Sequence, residues 1–344
     1  MAKPILVLKF GTASITTSKG ELDEDVIAEI TRQVALIHKQ YNVVIVSSGA
    51  VAAGKNYIKN FKGTLNEKKA AASIGNPLLL NVYSRYFMPY GISIAQSLCE
   101  RHHFSNRDQF LQLKRTYEQL WANNIIPIAN ENDVVSNLEL KFSDNDELAT
   151  LIAVGFGASQ LLFSTSVPGV LDHTGAVIPE LDTTDKSVLL LARKEKSAAG
   201  LGGMTSKLTF ARLANQMGIR VVIFGIRSSN GILETLDGKT GTLCLPQQSS
   251  LSSRKKWLAS GSLVSGRIQI DGGAYKALQN RHSLLAVGIK MVLSPFENGE
   301  VIEILDENNN AVAVAKAKVA SSLLSDTQKT KNLEVAHADN IVLL

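Results

Sequence analysis

Short apolar runs, each followed by glycine or polar residues and then by a helical pattern, constrain the fold of this chain more than any other feature. The runs occupy residues 5–8, 43–46, 125–129, 160–164 and 220–224. Between the first two, Ile27, Ile30, Val34 and Ile37 recur at the spacing of an amphipathic helix. Fully apolar strands that alternate with helices are typical of a parallel sheet covered on both faces. We therefore expect an α/β fold with a largely parallel sheet sandwiched by helices.

The rhythm of the sequence changes after Pro246. Residues 247–256 are polar and serine-rich, and the residues that follow contain short apolar runs separated by glycine. We predict an α/β domain at 1–246, a linker at 247–256 and a small all-β domain at 257–344. A chain of 344 residues with 45% hydrophobic residues is long enough to bury two cores.

Composition excludes several classes of protein. Residues 254–344 carry 11 Lys and Arg against 9 Asp and Glu, so we expect no RNA partner for this region. No apolar run approaches the roughly 18 residues of a membrane span, and the amino terminus lacks a signal-peptide pattern. Cys99 and Cys244 lie far apart without the spacing of a zinc site. We expect a cytoplasmic protein without a membrane partner.

Two of the apolar runs deliver candidate phosphate-binding residues at their carboxyl ends, where open α/β sheets bind ligands. Lys9 and Gly11 follow the first run, and a solvated lysine at a strand end is the alternative for Lys9. The second run leads into SSGAVAAG, residues 47–54. Small residues at a strand-to-helix turn can form an anion cradle, but close packing of a helix would explain them equally well.

A polar stretch from residue 130 to residue 153 concentrates amides and carboxylates between two apolar segments. Asp144 is the expected N-cap of a helix, and Asn130 and Asn145 belong to the same stretch. A solvated acidic loop is the alternative. Earlier in the chain, Asn76 and Pro77 interrupt a helical region, and we expect the helix to break there.

The most glycine-dense loop, residues 200–204, precedes Thr205, Ser206 and Lys207 and then an amphipathic pattern. Glycines allow the backbone to approach a phosphate, and the start of a helix supplies N–H donors. Lys207 in the first turn is placed for a phosphoryl group, although a flexible connecting loop is the alternative reading.

Taken together, these motifs resemble the glutamate 5-kinases of the amino acid kinase superfamily. The resemblance lies in KFGT (9–12), SSGAVAAG (47–54), NEND (130–133), FSDNDELATLIA (142–153), GLGGMTSK (200–207) and GTLC (241–244). IDGGA (270–274) and FENGEV (296–301) resemble the carboxyl-terminal PUA domain of the same enzymes. The resemblance covers nearly the whole chain and implies the amino acid kinase fold followed by a PUA-like β domain.

The resemblance implies transfer of the γ-phosphoryl group of ATP, with Mg²⁺, to the side-chain carboxylate of L-glutamate, the first step of proline biosynthesis. It assigns catalytic roles to Lys9, Lys207 and Asp146, and glutamate binding to Ser48, Asp133 and Asn145. It assigns no protein residue to a metal. The residues it implies for ATP binding are Lys9, Gly11, Thr165, Ser166, Leu201, Gly202, Gly203, Met204, Thr205, Ser206 and Lys207.

Three positions depart from the family pattern, which has aspartate at the position of Ser166, threonine at Leu201 and glutamine at Asn76. The first two predict altered nucleotide binding. The alternatives are a related kinase with another acceptor, a regulatory protein with a weakened kinase site, and an RNA-binding PUA protein. The resemblance also leads us to expect a homo-oligomer, dimer or tetramer, and proline as a feedback inhibitor.

Overall fold

The computed structural model describes residues 3–135, 144–183, 203–227, 229–246, 264–324 and 333–343. Contacts divide the chain into two compact units. One unit comprises Met1–Glu100 and Arg115–Ser249, and the other comprises Arg101–Lys114 and Ser250–Leu344. The predicted linker at 247–256 lies outside the described residues, so the domain limits stay a prediction.

The first unit contains an eight-stranded sheet in the order β3-β4-β2-β1-β5-β7-β8-β6. Neighbouring strands run parallel except β7 and β8, which are antiparallel. The four strands β1, β2, β5 and β7 are almost completely buried, as their apolar sequences require. The predicted largely parallel sheet is confirmed. Its strands are β1 Ile5–Phe10, β2 Asn42–Ser47, β3 Ser93–Cys99, β4 Ile125–Glu131, β5 Gln160–Thr165, β6 Glu180–Leu181, β7 Arg220–Gly225 and β8 Thr242–Cys244.

Helices connect the strands along the chain. They are α1 Thr12–Ile15, α2 Glu24–Ile37, α3 Ala50–Gly54, α4 Leu65–Phe87, α5 His102–Ser105, α6 Arg107–Ala122, α7 Asn145–Phe156, α8 Met204–Gln216 and α9 Gly231–Leu236. Short 3-10 helices follow α3 and α4, at Lys55–Tyr57 and Met88–Tyr90. None of the helices in the described residues is both long and apolar enough to cross a membrane.

Helix α4 runs without interruption through Pro77, so the predicted helix break is wrong. Proline removes the hydrogen bond that its N–H would make to the carbonyl of residue 73, four positions earlier. Ser73 and Pro77 are both exposed, which leaves that carbonyl open to water. The opposite face of α4 places Tyr83 and Phe87 in the core, and this packing favours the continuous helix over a break.

Helices α3 and α4 pack with their backbones in contact. A Cβ atom at Gly54 would lie 1.9 Å from the carbonyl oxygen of Ala71, and one at Gly75 would lie 1.7 Å from that of Ala50. Neither position can carry a side chain without separating the helices. Gly49, before α3, has φ +105°, a left-handed conformation that glycine adopts at little cost. Close packing thus accounts for Gly54, one of the small residues that also predicted an anion cradle.

The second unit contains a five-stranded sheet in the order β11-β9-β12-β13-β15 and the two-stranded pair β10-β14. Helix α10, Gly272–Gln279, follows β9, and the Asp271 carboxylate caps it by accepting from the N–H of Ala274. The predicted β domain in this region is confirmed. The strands are β9 Val264–Ile270, β10 Leu284–Leu285, β11 Ile289–Ser294, β12 Val301–Leu305, β13 Ala311–Lys316, β14 Glu334–Ala336 and β15 Ile341–Leu343.

Candidate active site

The predicted site residues gather at the edge of the sheet where the central parallel strands end. Lys9 lies near the end of β1 and pairs in register with Val46 of β2 and Phe163 of β5. Ser48 directly follows β2, and Thr165 ends β5. Because parallel strands end at the same edge of a sheet, these residues share one side of the first unit.

A single carboxylate joins the two predicted catalytic lysines. The Nζ of Lys9 lies 2.6 Å from Oδ1 of Asp146, and the Nζ of Lys207 lies 3.0 Å from Oδ2 of the same residue. The side chains of Lys9, Lys207 and Asp146 are 4%, 7% and 0% exposed. They come from β1, from the first turn of α8 and from the first turn of α7. The structure therefore brings together all three residues that the sequence predicted as catalytic.

The electrostatics of this triad leave an excess of positive charge in a buried place. Burial alone would raise the pKa of Asp146, but the nearby ammonium groups of Lys9 and Lys207 overcome it and hold the pKa below its ordinary value. Burial lowers the pKa of Lys207, and the Asp146 carboxylate opposes that effect. Asp146 contacts both ammonium groups directly and the Asp144 carboxylate acts on them without direct contact, so an anion bound here would meet two fixed cations.

The start of α8 provides further groups for an anion. Gly203 is the N-cap residue of this 13-residue helix and has no side chain with which to cap it, so the positive end of the helix dipole is available to an anion. Lys207 lies in this positive end of the helix, an arrangement that the helix dipole disfavours in the absence of an anion. The geometry suits a phosphate group.

A hydrogen bond ties the starts of α7 and α8 together. The Ser206 hydroxyl donates to Oδ2 of Asp144, while Oδ1 of Asp144 accepts from the backbone N–H groups of Asp146 at 2.9 Å and Glu147 at 3.2 Å. The predicted N-cap role of Asp144 is confirmed. Burial raises the pKa of Asp144, and the negative charge of Asp146 adds to that rise. Sequence analysis did not predict the contact between Ser206 and Asp144, because the two residues are 62 positions apart.

Beside the triad lies a chain of amide side chains. The Nδ2 of Asn145 donates to the Ser48 hydroxyl at 2.8 Å and to Oδ1 of Asn130 at 2.9 Å. In turn, Nδ2 of Asn130 donates to Oδ1 of Asn76 at 3.1 Å. Sequence analysis predicted Ser48 and Asn145 as site residues but did not include Asn130 and Asn76. Asn130 had a signal, since it ends an apolar strand. Asn76 was noted as a helix interruption and as a departure from the family pattern, and neither feature indicated that it would contact Asn130.

The structure gives positions for some of the remaining predicted residues and does not describe the others. Asp133 is half-buried two residues beyond β4, on the same edge of the sheet. Ser166 is exposed directly after β5, and Gly11 precedes α1, where a Cβ atom would lie 3.4 Å from Nζ of Lys9. Leu201 and Gly202 lie outside the described residues. The other predicted ATP-binding residues of this segment belong to α8. Gly203 is its N-cap, and Met204, Thr205, Ser206 and Lys207 are its first four residues.

Comparison with protein families gives two matches that together cover most of the chain. A sequence model of the amino acid kinase family matches residues 4–225, and one of the PUA domain matches residues 266–338. The first match ends with β7, before α9 and β8 of the same sheet, and the second lies within the region of the carboxyl-terminal strands.

Individual relatives extend these matches. A glutamate 5-kinase of Vibrio vulnificus (strain YJ016) is 34% identical over 362 aligned positions, which cover 98% of this chain and 96% of that protein. A glutamate 5-kinase of Kosmotoga olearia is 38% identical over 311 positions, which cover 88% and 85%. Among solved structures, carbamate kinase from Giardia lamblia bound to AMP-PNP superposes with a TM-score of 0.53 at 19% identity, over 72% of this chain and 99% of that one. At that identity the superposition shows the fold alone.

Proposed function

The chain belongs to the amino acid kinase family, and we propose that it transfers the γ-phosphoryl group of ATP to the side-chain carboxylate of L-glutamate. The product is glutamyl 5-phosphate, and the reaction is that of a glutamate 5-kinase, the first step of proline biosynthesis. The main structural support for this proposal is that Asp146 holds Lys9 and Lys207 together next to a cluster of amide side chains. Similarity to glutamate 5-kinases over nearly the whole chain supports glutamate as the acceptor.

The proposed chemistry needs positive charge and positioning more than it needs a base. A glutamate side chain with a pKa of about 4.3 is already ionised at pH 7, so no proton has to be removed before attack. A carboxylate oxygen forms a bond to the γ-phosphorus while the bond from that phosphorus to the bridging oxygen of ADP breaks. The charge on the transferring oxygens must be stabilised by fixed cations, and the bound substrates must be held in line.

Lys9 and Lys207 supply those cations in this proposal. Both ammonium groups would contact the phosphate oxygens as the transfer proceeds. Asp146 orients the two side chains, and its position between them prevents the two charges from separating. The start of α8 adds the positive end of its helix dipole, which favours the phosphates.

The substrates would divide the edge of the sheet between them. On the acceptor side, Asp133 can bind the ammonium group of glutamate, while Ser48 and Asn145 can hydrogen-bond its carboxylate and ammonium groups. On the nucleotide side, we place the start of α8, Gly11 beside the Lys9 ammonium group, and Thr165 and Ser166 at the end of β5. The glycine loop, residues 200–204, completes the proposed nucleotide site.

Magnesium is proposed to accompany ATP. Within the described ranges, no three His, Cys, Asp or Glu side chains form a cluster that could hold a metal ion. In this proposal the ion would be bound mainly by the phosphates of the nucleotide, as Mg²⁺ often is. The Asp144 carboxylate, whose pKa burial and Asp146 raise, would be stabilised by such a cation nearby. The ion would neutralise phosphate charge during transfer.

Further partners follow from the same assignment. We propose a cytoplasmic homo-oligomer, dimer or tetramer, that proline inhibits at or near the glutamate site. RNA is not proposed as a partner, because the net charge of residues 254–344 is small.

The test is formation of acyl phosphate, trapped with hydroxylamine, by the purified full-length protein with ATP and Mg²⁺. Glutamate, aspartate and no amino acid are compared. Lys207→Ala is expected to abolish glutamate-dependent hydroxamate, since it removes one of the two cations. Lys39→Ala is the matched control, because Lys39 is exposed three residues before β2 and therefore lies at the opposite edge of the sheet.

Each result decides between the candidate functions. Hydroxamate that depends on glutamate, survives Lys39→Ala and disappears in Lys207→Ala supports the proposal. Hydroxamate with aspartate alone would move the assignment to a kinase with another acceptor. No hydroxamate with either amino acid, from a protein folded by circular dichroism, would favour the regulatory alternative.

A further inference from the structure

We propose that Asn76, on helix α4, is a positioning residue for the acceptor site, and that it acts by fixing the orientation of the Asn130 and Asn145 amides. This inference rests on the proposed function, because it takes an amino acid acceptor as the ligand. It concerns a residue that the sequence marked only as a helix interruption and as a departure from the family pattern, and that lies far along the chain from Ser48 and Asn145.

The fold holds Asn76 rigidly at this place. Gly75, its neighbour, lies so close to α3 that a Cβ atom there would meet the carbonyl oxygen of Ala50 at 1.7 Å. Helix α3 begins two residues after Ser48. Backbone contact between the two helices therefore fixes the distance between Asn76 and the loop that carries Ser48. Asn76 is only 5% exposed, so its side chain has little freedom to turn away.

The hydrogen bonds define the orientation of each amide, because they identify the partner of its oxygen and the partner of its nitrogen. Oδ1 of Asn130 accepts from the backbone N–H of Glu131 at 2.9 Å and from Nδ2 of Asn145 at 2.9 Å. Nδ2 of Asn130 donates to Oδ1 of Asn76 at 3.1 Å. The oxygen of Asn76 thus accepts from the nitrogen end of Asn130, and its loss would leave a buried N–H group without that partner.

The consequence reaches Asn145, which the sequence predicted as a substrate-binding residue. Both hydrogens of its Nδ2 are directed to protein oxygens, those of Ser48 and Asn130. Its Oδ1 is buried and accepts no hydrogen bond from any residue that the structure describes. A fixed amide therefore presents an acceptor atom, which suits the ammonium group of an amino acid, while the Ser48 hydroxyl keeps a hydrogen to donate to a carboxylate.

Removing the Asn76 amide should affect binding of the acceptor and leave binding of the nucleotide unchanged. We expect Asn76→Ala to raise the KM for glutamate about tenfold, the factor that corresponds to loss of one buried hydrogen bond of ordinary strength. The KM for ATP and the kcat should stay within about twofold of wild type. Asn76→Gln restores an amide, and a cavity of about 10 Å³ beside Asn76 gives the longer side chain room, so this variant should regain most of the affinity.

Asn215→Ala is the matched control. Asn215 is also fully buried, with its Nδ2 donating to the Thr183 hydroxyl at 3.2 Å. It lies eight residues beyond Lys207 on α8, about 12 Å along the helix. This change removes a buried amide without touching the amide chain and should leave both KM values unchanged.

The measurement is steady-state hydroxamate formation, with thermal unfolding in the presence and absence of glutamate as a second readout. Should Asn76→Ala fail to fold, Asn76→Ser carries the same test, because its hydroxyl is too short to reach Asn130. A KM for glutamate equal to that of wild type, or an equal rise in the KM for ATP, would overturn the inference. Absence of glutamate turnover by the wild-type protein would instead overturn the proposed function, so the two failures are distinguishable.

Discussion

Replacing Asp146 by asparagine tests whether one carboxylate holds two buried ammonium groups in place. The substitution keeps the shape of the side chain and removes its charge. Because Lys9 and Lys207 are 4% and 7% exposed, water cannot replace the lost carboxylate without local opening. Removing one partner of a buried ion pair costs about 3–5 kcal/mol. We expect the free energy of unfolding of Asp146→Asn to fall by about that amount at pH 7, together with loss of kinase activity.

The loss of unfolding free energy that Asp146→Asn causes, relative to wild type, should depend on pH in a defined direction. Burial already lowers the pKa of Lys207 from its ordinary value of 10.5, and loss of the carboxylate that opposes this must lower it further. The folded variant then binds fewer protons than the unfolded chain below pH 10.5, so its stability rises as pH increases towards that value. In the wild type the contribution of Asp146, whose pKa is lowered from 3.8, is present above pH 3.8 and lost as pH falls below it. The difference in the free energy of unfolding between wild type and Asp146→Asn should therefore be largest near neutral pH.

Urea denaturation followed by tryptophan fluorescence measures these differences. The chain has two tryptophans, and a Trp257→Phe background leaves Trp121, whose Nε1 donates to the carbonyl of Val43 in β2, as the reporter for the first unit. The variant Asp146→Asn with Lys207→Met removes one of the two uncompensated charges. It should be more stable than Asp146→Asn alone by about 1–3 kcal/mol. Equal stability of the two variants would refute the argument that unpaired buried charge causes the loss.

Three further predictions concern the cap, the helix contact and the acceptor side. Asp144→Asn should match or exceed wild-type stability to urea at pH 7, because asparagine also caps α7 and removes repulsion from Asp146, whereas Asp144→Ala should lose about 1 kcal/mol; equal losses would contradict this. Gly54→Ala should lower the melting temperature, since its Cβ atom would lie 1.9 Å from a backbone oxygen of α4, while the control Gly272→Ala meets no atom within 4 Å and should change stability by less than about 1 kcal/mol. Ser48→Ala should raise the KM for glutamate about tenfold in the hydroxamate assay without changing the KM for ATP, and a shared rise in both values would argue against an acceptor role.

The sequence by itself determined the class of fold and much of the candidate site. Apolar runs that alternate with helical spacing require burial on both faces, so they predicted the parallel sheet, and the ends of those runs predicted that Lys9 and Ser48 would lie at one edge. Local chemistry likewise predicted Asp144 as a cap and Lys207 in the first turn of a helix. These predictions succeeded because strand burial and helix capping depend on residues close together in the chain.

Only the tertiary structure decided which polar groups meet. The Asn76 and Asn130 amides are 54 positions apart, on α4 and β4, and only the packing of the folded elements brings them together. Packing of Tyr83 and Phe87 in the core keeps α4 continuous through Pro77, where the local rule predicted a break. Contacts of this kind depend on how whole elements pack, and no local pattern records that. The sequence therefore predicted residues that lie at the edge of the sheet, whereas the chain of amide side chains on its acceptor side could be identified only from the tertiary structure.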